Sequence, residues 1–315
     1  HPDPLPRGVR VGVWGGEEAL RGVALGCGIA PRFGRRDPYA MAASAVDEAV
    51  RNVVAVGADP ARIALLDNFC WGSPQRPEEL GALVQAARGC HDAAVAYGMP
   101  FISGKDSLNN EYDDGTGQRT AIPPTLLISA LGIVPDVARA VTMDLKASGN
   151  ALYIVGQTRR ELGESYLHRH LGLSGGRVPQ PAPVAPALAR ALHQAIRAGW
   201  VRACHDLSEG GLAVAAAEMA LAGELGLRLE LGCVPRDGDV NGDLAVLYAE
   251  SNARWLVEVE PTHERAFAQA LAGLPCARIG RVERSGCLIV HGLDGREVLN
   301  LPVRRLKRAW KGDGA

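Results

Sequence analysis

His205-Asp-Leu-Ser-Glu-Gly-Gly-Leu-Ala-Val214 is the stretch that sets the fold reading. An acid, Asp206, is followed by a Gly-Gly pair that opens a helix of small residues, expected over 211–222. Free amides at such a helix start suit a phosphate, and a carboxylate beside them suits magnesium, a hard cation that prefers oxygen. A Ser208 N-cap, with the glycines serving close packing, explains the same letters without a ligand. His205 reads as a structural histidine rather than a base.

Around this stretch, apolar strand patterns alternate with helical ones. Strands are expected at 22–31, 63–67, 100–103, 125–134, 151–155, 255–259 and 287–290. Helices are expected at 40–56, 77–97, 187–198, 211–222 and 261–274. Gly57 and Gly98 stand where C-terminal caps belong, and Pro77-Glu-Glu opens the second helix. Residues 1–20, rich in Gly, Pro and charge, read as linker or frayed edge. The alternation predicts an α+β chain of two domains, 1–138 and 139–315.

Composition narrows the function. Of 315 residues, 47% are hydrophobic and 22% charged, enough for two real cores. The net charge of -1, from 34 basic and 35 acidic residues, gives no basic stripe for nucleic acid. No apolar run is long enough for a membrane span. Seven cysteines with no C-x-x-C predict buried free thiols in a reducing compartment, and with no signal-peptide layout the cytoplasm is expected. The chain opens on His1 rather than Met, so a cut or processed start is expected.

Four further segments carry candidate chemistry. On the helix Val46-Asp-Glu-Ala-Val-Arg-Asn-Val-Val54, Glu48 and Asn52 are four apart and share a face. Glu48 there either pairs with Arg51 or Arg62, or meets a metal. Asp67 ends an apolar strand, a common place for a ligand group and equally for an Asx turn. In Phe101-Ile-Ser-Gly-Lys-Asp-Ser107, the strand is expected to deliver Gly104, Lys105 and Ser107 into a loop. Glycine would admit a phosphate, lysine supply a point charge and serine a hydroxyl; an ordinary turn is the alternative. Glu250 either faces the same cleft or is a solvated loop acid. Gly26-Cys-Gly-Ile-Ala-Pro31 is not a dinucleotide fingerprint, because proline closes it where a glycine and a helix should follow. No Ser/His/Asp or Cys/His nucleophile arrangement stands out.

Together the segments 37–42, 47–57, 66–72 and 103–111 resemble the second half of the phosphoribosylformylglycinamidine synthase family. The 205–214 stretch is similar across the wider aminoimidazole ribonucleotide synthetase-like superfamily, and 306–311 resembles the synthase's C-terminus. The resemblance runs from about Gly22 to the end. It implies two α+β domains, the first forming a barrel-like dimer and the second packing across a nucleotide cleft. It implies ATP-dependent conversion of formylglycinamide ribonucleotide and ammonia to the amidine, with the ammonia supplied by a glutaminase domain or subunit.

By the same resemblance, Glu48, Asn52 and Asp206 match magnesium ligands. Asp67 and Gly104 match nucleotide contacts, Lys105 is assigned to phosphate, and Ser107 to substrate. The family's Thr-His-Asn-His-Pro segment, with its catalytic histidine, has no counterpart in the chain, so no catalytic residue is assigned. The chain is therefore expected to be the partner of an N-terminal half, with ADP or ATP at a site that is auxiliary or structural. The alternatives are a self-sufficient homodimer of the selenophosphate synthetase, thiamine-phosphate kinase or ring-closing synthetase kind, and a non-catalytic nucleotide scaffold.

Overall fold

The computed structural model describes residues 10–14, 20–113, 115–117 and 119–312. The first domain contains β1 (Arg10–Trp14), β2 (Arg21–Ile29), β3 (Ile63–Cys70), β4 (Phe101–Ser107), β5 (Glu111–Asp113), β6 (Arg119–Ala121) and β7 (Thr125–Val134). Its helices are α1 (Pro31–Gly34), α2 (Pro38–Ala55) and α3 (Pro77–Tyr97). Five strands form one sheet in the order β1-β2-β7-β3-β4, antiparallel except for the β3–β4 pair, and β5 and β6 form a separate hairpin.

The second domain contains β8 (Ala151–Val155), β9 (Val201–Asp206), β10 (Gly226–Glu230), β11 (Trp255–Val259), β12 (Cys276–Glu283), β13 (Cys287–His291) and β14 (Glu297–Pro302). These form a sheet in the order β14-β13-β10-β12-β8-β11-β9. Its helices are α4 (Tyr166–His170), α5 (Ala185–Arg197), α6 (Gly211–Gly223), α7 (Asp243–Tyr248), α8 (Glu264–Ala270) and α9 (Val303–Lys311).

Asp37 starts α2 by accepting the Ala40 N–H on its side chain, and Pro38 presets the first turn. The helix then lies very close to β2. A Cβ at Gly28 would sit 1.9 Å from the Ala45 carbonyl oxygen, and one at Gly26 would sit 2.9 Å from Asn52 Cβ. The glycines that mimic a dinucleotide fingerprint are there for helix-on-strand approach. Gly98, in the left-handed region at φ 70°, closes α3.

The central strands of the second sheet are buried on both faces. Ala151, Tyr153, Val155, Trp255 and Val257 join one apolar cluster with α2, α5 and the first sheet. Leu152, Ile154 and Leu256 face a second cluster under α6. The first cluster is therefore a single core shared by both domains.

Some expectations are corrected. Arg10–Trp14, expected to be linker, is a strand paired with β2; residues 1–9 and 15–19 lie outside the described residues. The strand expected at 100–103 runs on to Ser107, held by its parallel ladder with β3. The expected helix 261–274 shortens to a 3₁₀ turn and Glu264–Ala270.

A core common to both domains should make unfolding cooperative. Scanning calorimetry is expected to show one transition. Trp255→Ala, which empties a fully buried site in that core, should cost about 3–5 kcal/mol.

Candidate functional site

The two domains meet where α2 faces the loop after β9. Arg51, 3% exposed, pairs with Asp47 one turn earlier and donates to Ser208 Oγ at 3.1 Å. Its Nε stands 3.9 Å from Asp206 Oδ2, an ion pair without a hydrogen bond. Asp47 also accepts the Ala253 N–H at 3.0 Å and the Tyr97 hydroxyl. Trp255 Nε1 donates to the Arg51 carbonyl at 3.2 Å.

Asp206 ends β9. It accepts from Ser208 Oγ at 2.6 Å and lies 3.4 Å from His205 Nδ1. His205 Nε2 lies 2.8 Å from Glu218 on α6. Burial works against both charges, but their partners win. His205, Arg51 and Ser208 hold Asp206 down at about 2, and Asp206 and Glu218 hold His205 up at about 9. The Asp206 carboxylate takes no helix amide, so it is not a helix cap. Nor is Ser208: the helix start is Gly210, left-handed at φ 76°. Gly211 does serve close packing, since a Cβ there would lie 2.4 Å from the Ala249 carbonyl oxygen.

Glu48 accepts the Ile29 N–H at 2.9 Å. Burial pushes its carboxyl up to about 8; Arg51 opposes this, while Glu209 and Asp206 add to it. Asn52 donates to the Cys27 carbonyl at 2.9 Å. Glu250 is buried, not solvated: it accepts the N–H groups of Gly210 and Tyr166, each at 2.9 Å. Arg254, fully buried, shapes the turn that carries Glu250 by donating to Ser251 O at 2.9 Å and Thr158 Oγ1 at 3.0 Å. A cavity of about 30 Å³ between the domains is lined by Arg32, Glu48, Arg51, Ser208, Glu209 and Glu250, among others.

The remaining sequence candidates lie on the first sheet and are split by strand alternation. Asp67 pairs in register with Gly104 and with the buried Ile128, so it faces the helix side. A Cβ at Gly104 would sit 2.2 Å from Asp67 Oδ1. Asp67 borders an apolar groove of about 610 Å³ with Ala94, Val95, Met99 and Phe101. Lys105 and Ser107 hydrogen-bond to each other and lie in register with Asn68 and Cys70, on the opposite, open face. That face carries Leu25, which is 43% exposed, and Ile29, which is 38% exposed.

The structure thus sets Glu48 in the cavity wall, with Asp206 close enough behind it, beside Arg51, to act on its charge. It sets Asn52 one turn along from Glu48 and places Asp67 with Gly104 elsewhere. Asp47, Tyr97 and Arg32 escaped the sequence reading; apart from the Arg51 pair one turn along from Asp47, the partners cited here lie 50 to 206 residues away in sequence.

The patterns of AIR synthase related proteins match the chain twice, the N-terminal domain at 20–134 and the C-terminal domain at 147–292. The chain belongs to the AIR synthase related family. Among its relatives, the phosphoribosylformylglycinamidine synthase subunit PurL of Deinococcus radiodurans is 38% identical over 301 residues, covering 92% of this chain and 39% of the relative. The PurL of Thermococcus kodakarensis is 38% identical over 278 residues, covering 88% and 37%. This member of the family therefore spans less than two fifths of the length of these relatives. In fold it is similar to Thermotoga maritima PurL complexed with FGAR, with TM-score 0.77, 21% identity, and coverage of 94% of this chain and 47% of that one. It is also similar to the hydrogenase maturation protein HypE of Escherichia coli, with TM-score 0.62, 19% identity, and coverage of 90% and 88%.

The raised Glu48 carboxyl fixes a pH dependence. The folded state holds this proton more tightly than the unfolded state does. The stability linked to it is complete below the ordinary value of 4.5 and is lost as pH rises through about 8. Glu48→Gln should leave stability unchanged near pH 5 and raise it by about 1–3 kcal/mol near pH 8.5 relative to the parent. Urea melts across this window check it; equal pH slopes for the two proteins would contradict it.

Proposed function

We propose that this chain is the second AIR synthase related unit of a phosphoribosylformylglycinamidine synthase and holds a magnesium–nucleotide at the junction of its domains. The observation that carries the reading is the cavity between α2 and the 205–210 loop. There Glu48 from the first domain and Ser208, Glu209 and Glu250 from the second line one space across the domain boundary. Carboxylate oxygens are the donors a hard cation takes. The near-constant 35–38% identity to PurL relatives over 84–94% of this chain supports the same reading.

In this reading the domains divide at 138/139. Glu48, Asn52 and Asp206 are the magnesium side chains. Their chemistry fits the ion, but their present pairing does not: among the described residues no three His, Cys, Asp or Glu converge as a metal cluster. Loading must therefore loosen at least one of the contacts to Ile29 N–H, Arg51 or His205. Asp67 and Gly104 serve the nucleotide from the helix side of the sheet. Lys105 and Ser107, on the open face, serve phosphate and substrate where a second unit would pack.

That second unit is the N-terminal half of the synthase, which would bring the catalytic histidine. A glutaminase would bring ammonia. The whole reaction, in the cytoplasm, forms formylglycinamidine ribonucleotide from formylglycinamide ribonucleotide with ATP. A second reading is a self-sufficient unit that works as a homodimer; the solved HypE chain is similar in fold over 88% of its own length.

Three measurements test these proposals. ADP with magnesium should raise the melting temperature, by mass action on the folded state; no shift at millimolar ligand would count against the site. The chain alone should form no amidine from ammonia and ATP, and turnover by the pure chain would favour the homodimer enzyme. Asp206→Asn should weaken ADP binding in magnesium but not in EDTA, measured by calorimetric titration. Equal affinities for ADP–magnesium in the two proteins would remove Asp206 from the metal set.

A further inference from the structure

A second cavity lies inside the second domain. It measures about 410 Å³, within the size range of small-molecule sites, and shares no lining residue with the cavity at the junction. Three segments form it: the loop after β8, the end of α4 with the loop that follows, and the 235–240 loop. Backbone bonds tie these segments together. Thr158 N–H donates to the Pro235 carbonyl at 2.9 Å, Asp237 N–H to the Thr158 carbonyl at 3.0 Å, and Gly163 N–H to the Arg177 carbonyl at 2.8 Å. Position 163 has no room for a side chain, since a Cβ there would lie 2.6 Å from the Gly176 carbonyl oxygen. The walls are therefore preformed.

Charges of both signs line the space. Arg159 and Glu161 pair, Nε to Oε2 at 3.4 Å, and Arg159 also donates to the Gln180 carbonyl at 2.7 Å. That leaves Arg160 and Arg177 as cations and Asp237 and Asp239 as acids. Among the described residues these four form no ion pair, with one another or with any other group. Asp237 accepts the Gln157 side-chain amide at 2.6 Å.

Exposed charges such as Arg160, Arg177 and Asp239 can rest in water. Two enclosed groups beside them cannot. Glu161 is 1% exposed and its Oε2 makes no hydrogen bond; the nearby Ser251 hydroxyl is taken by the Arg159 carbonyl at 3.2 Å. His168 Nδ1 is enclosed and equally without a partner. Buried polar atoms are nearly always matched, and an unmatched one asks for a missing group. Five such atoms occur among the described residues, and two of the five belong to the lining of this one cavity.

We propose that this cavity binds a free α-amino acid as its zwitterion, with the carboxylate on Arg160 and Arg177 and the ammonium on Asp237, Asp239 and the open oxygen of Glu161. A planar guanidinium takes a carboxylate through two parallel bonds. An ammonium carries three donors, and three acids face it here. The balance of the lining selects the zwitterion. A plain anion would face two aspartates and a plain cation two arginines, whereas a zwitterion meets both and leaves the cavity neutral. His168 Nδ1 remains for a polar group on the ligand's side chain. None of these residues belongs to the magnesium–nucleotide reading, so the two stand or fall separately.

The test uses the full chain and four probes, L-serine, L-glutamine, L-lysine and L-phenylalanine, in calorimetric titrations at millimolar concentration. At least one should bind. The tightest is then compared with its N-acetyl form, which lacks the ammonium, with its amide form, which lacks the carboxylate, and with inorganic phosphate. Each of the three should bind at least about tenfold more weakly, as expected when hydrogen bonds to a charged group are lost. Arg177→Gln and Asp239→Asn alter exposed side chains and should fold, which circular dichroism checks. Each should weaken the amino acid about tenfold. No binding of any probe by the folded parent overturns the inference. Binding that either variant leaves unchanged also overturns it, because the ligand would then sit elsewhere. Equal binding of a blocked form or of phosphate overturns it as well, because one charge alone would then suffice.

Discussion

Arg51 is enclosed by protein and paired with Asp47, and the junction of the domains is built around that pair. Desolvating a guanidinium costs several kcal/mol, and removing one partner of such a pair typically costs 3–5 kcal/mol. The partners come from both domains: Asp47 and Tyr97 from the first, Ser208, Asp206 and the Ala253 amide from the second. The charge can stay buried only while both domains hold their places around it. This end of the junction is rigid. The other end, at Arg32, rests on longer ion pairs and an aromatic face.

Much of the fold was legible because its long elements satisfy local and tertiary demands together. The helix at Pro77–Tyr97 and the strand at Thr125–Val134 fall where the pattern put them, since capping residues and apolar runs agree with burial. Arg10–Trp14 was not legible. Set among the glycines, prolines and charges of residues 1–20 it looks like linker, and only the edge of β2 makes it a strand. Val201–Asp206 likewise carries Arg, Cys, His and Asp in six residues; its partner β11 imposes the strand.

The candidate site was legible as letters but not as geometry. Gly104, Lys105 and Ser107 read as one phosphate loop. In a strand, neighbours point to opposite faces. Gly104 joins Asp67 under the helices, whereas Lys105 and Ser107 join the open side. Glu250 read as a solvated acid because nothing nearby in sequence shows that Arg254 folds its turn inward. Asp206 read correctly as a charged group near a helix start, but its partner Arg51, and the Glu218 that holds its neighbour His205, are contacts that no local pattern carries.

The open face of the first sheet links this geometry to the length of the relatives. Helices α2 and α3 cover one side, and among the described residues no element covers the other. Leu25 stands opposite Leu131 there, and Ile29 opposite Leu127, so the exposed side is apolar in register across two strands. An antiparallel sheet tolerates one wet face when that face is polar. An apolar one marks a surface that another structure covers. Lys105 and Ser107 lie at the edge of that same surface. A unit that covered the apolar strands would therefore also enclose these two polar side chains. Burying a lysine and a serine is costly unless each gains a partner. That cost is small if the covering unit brings an anionic ligand to the seam, and it ties the fate of the open face to the chemistry assigned to Lys105 and Ser107.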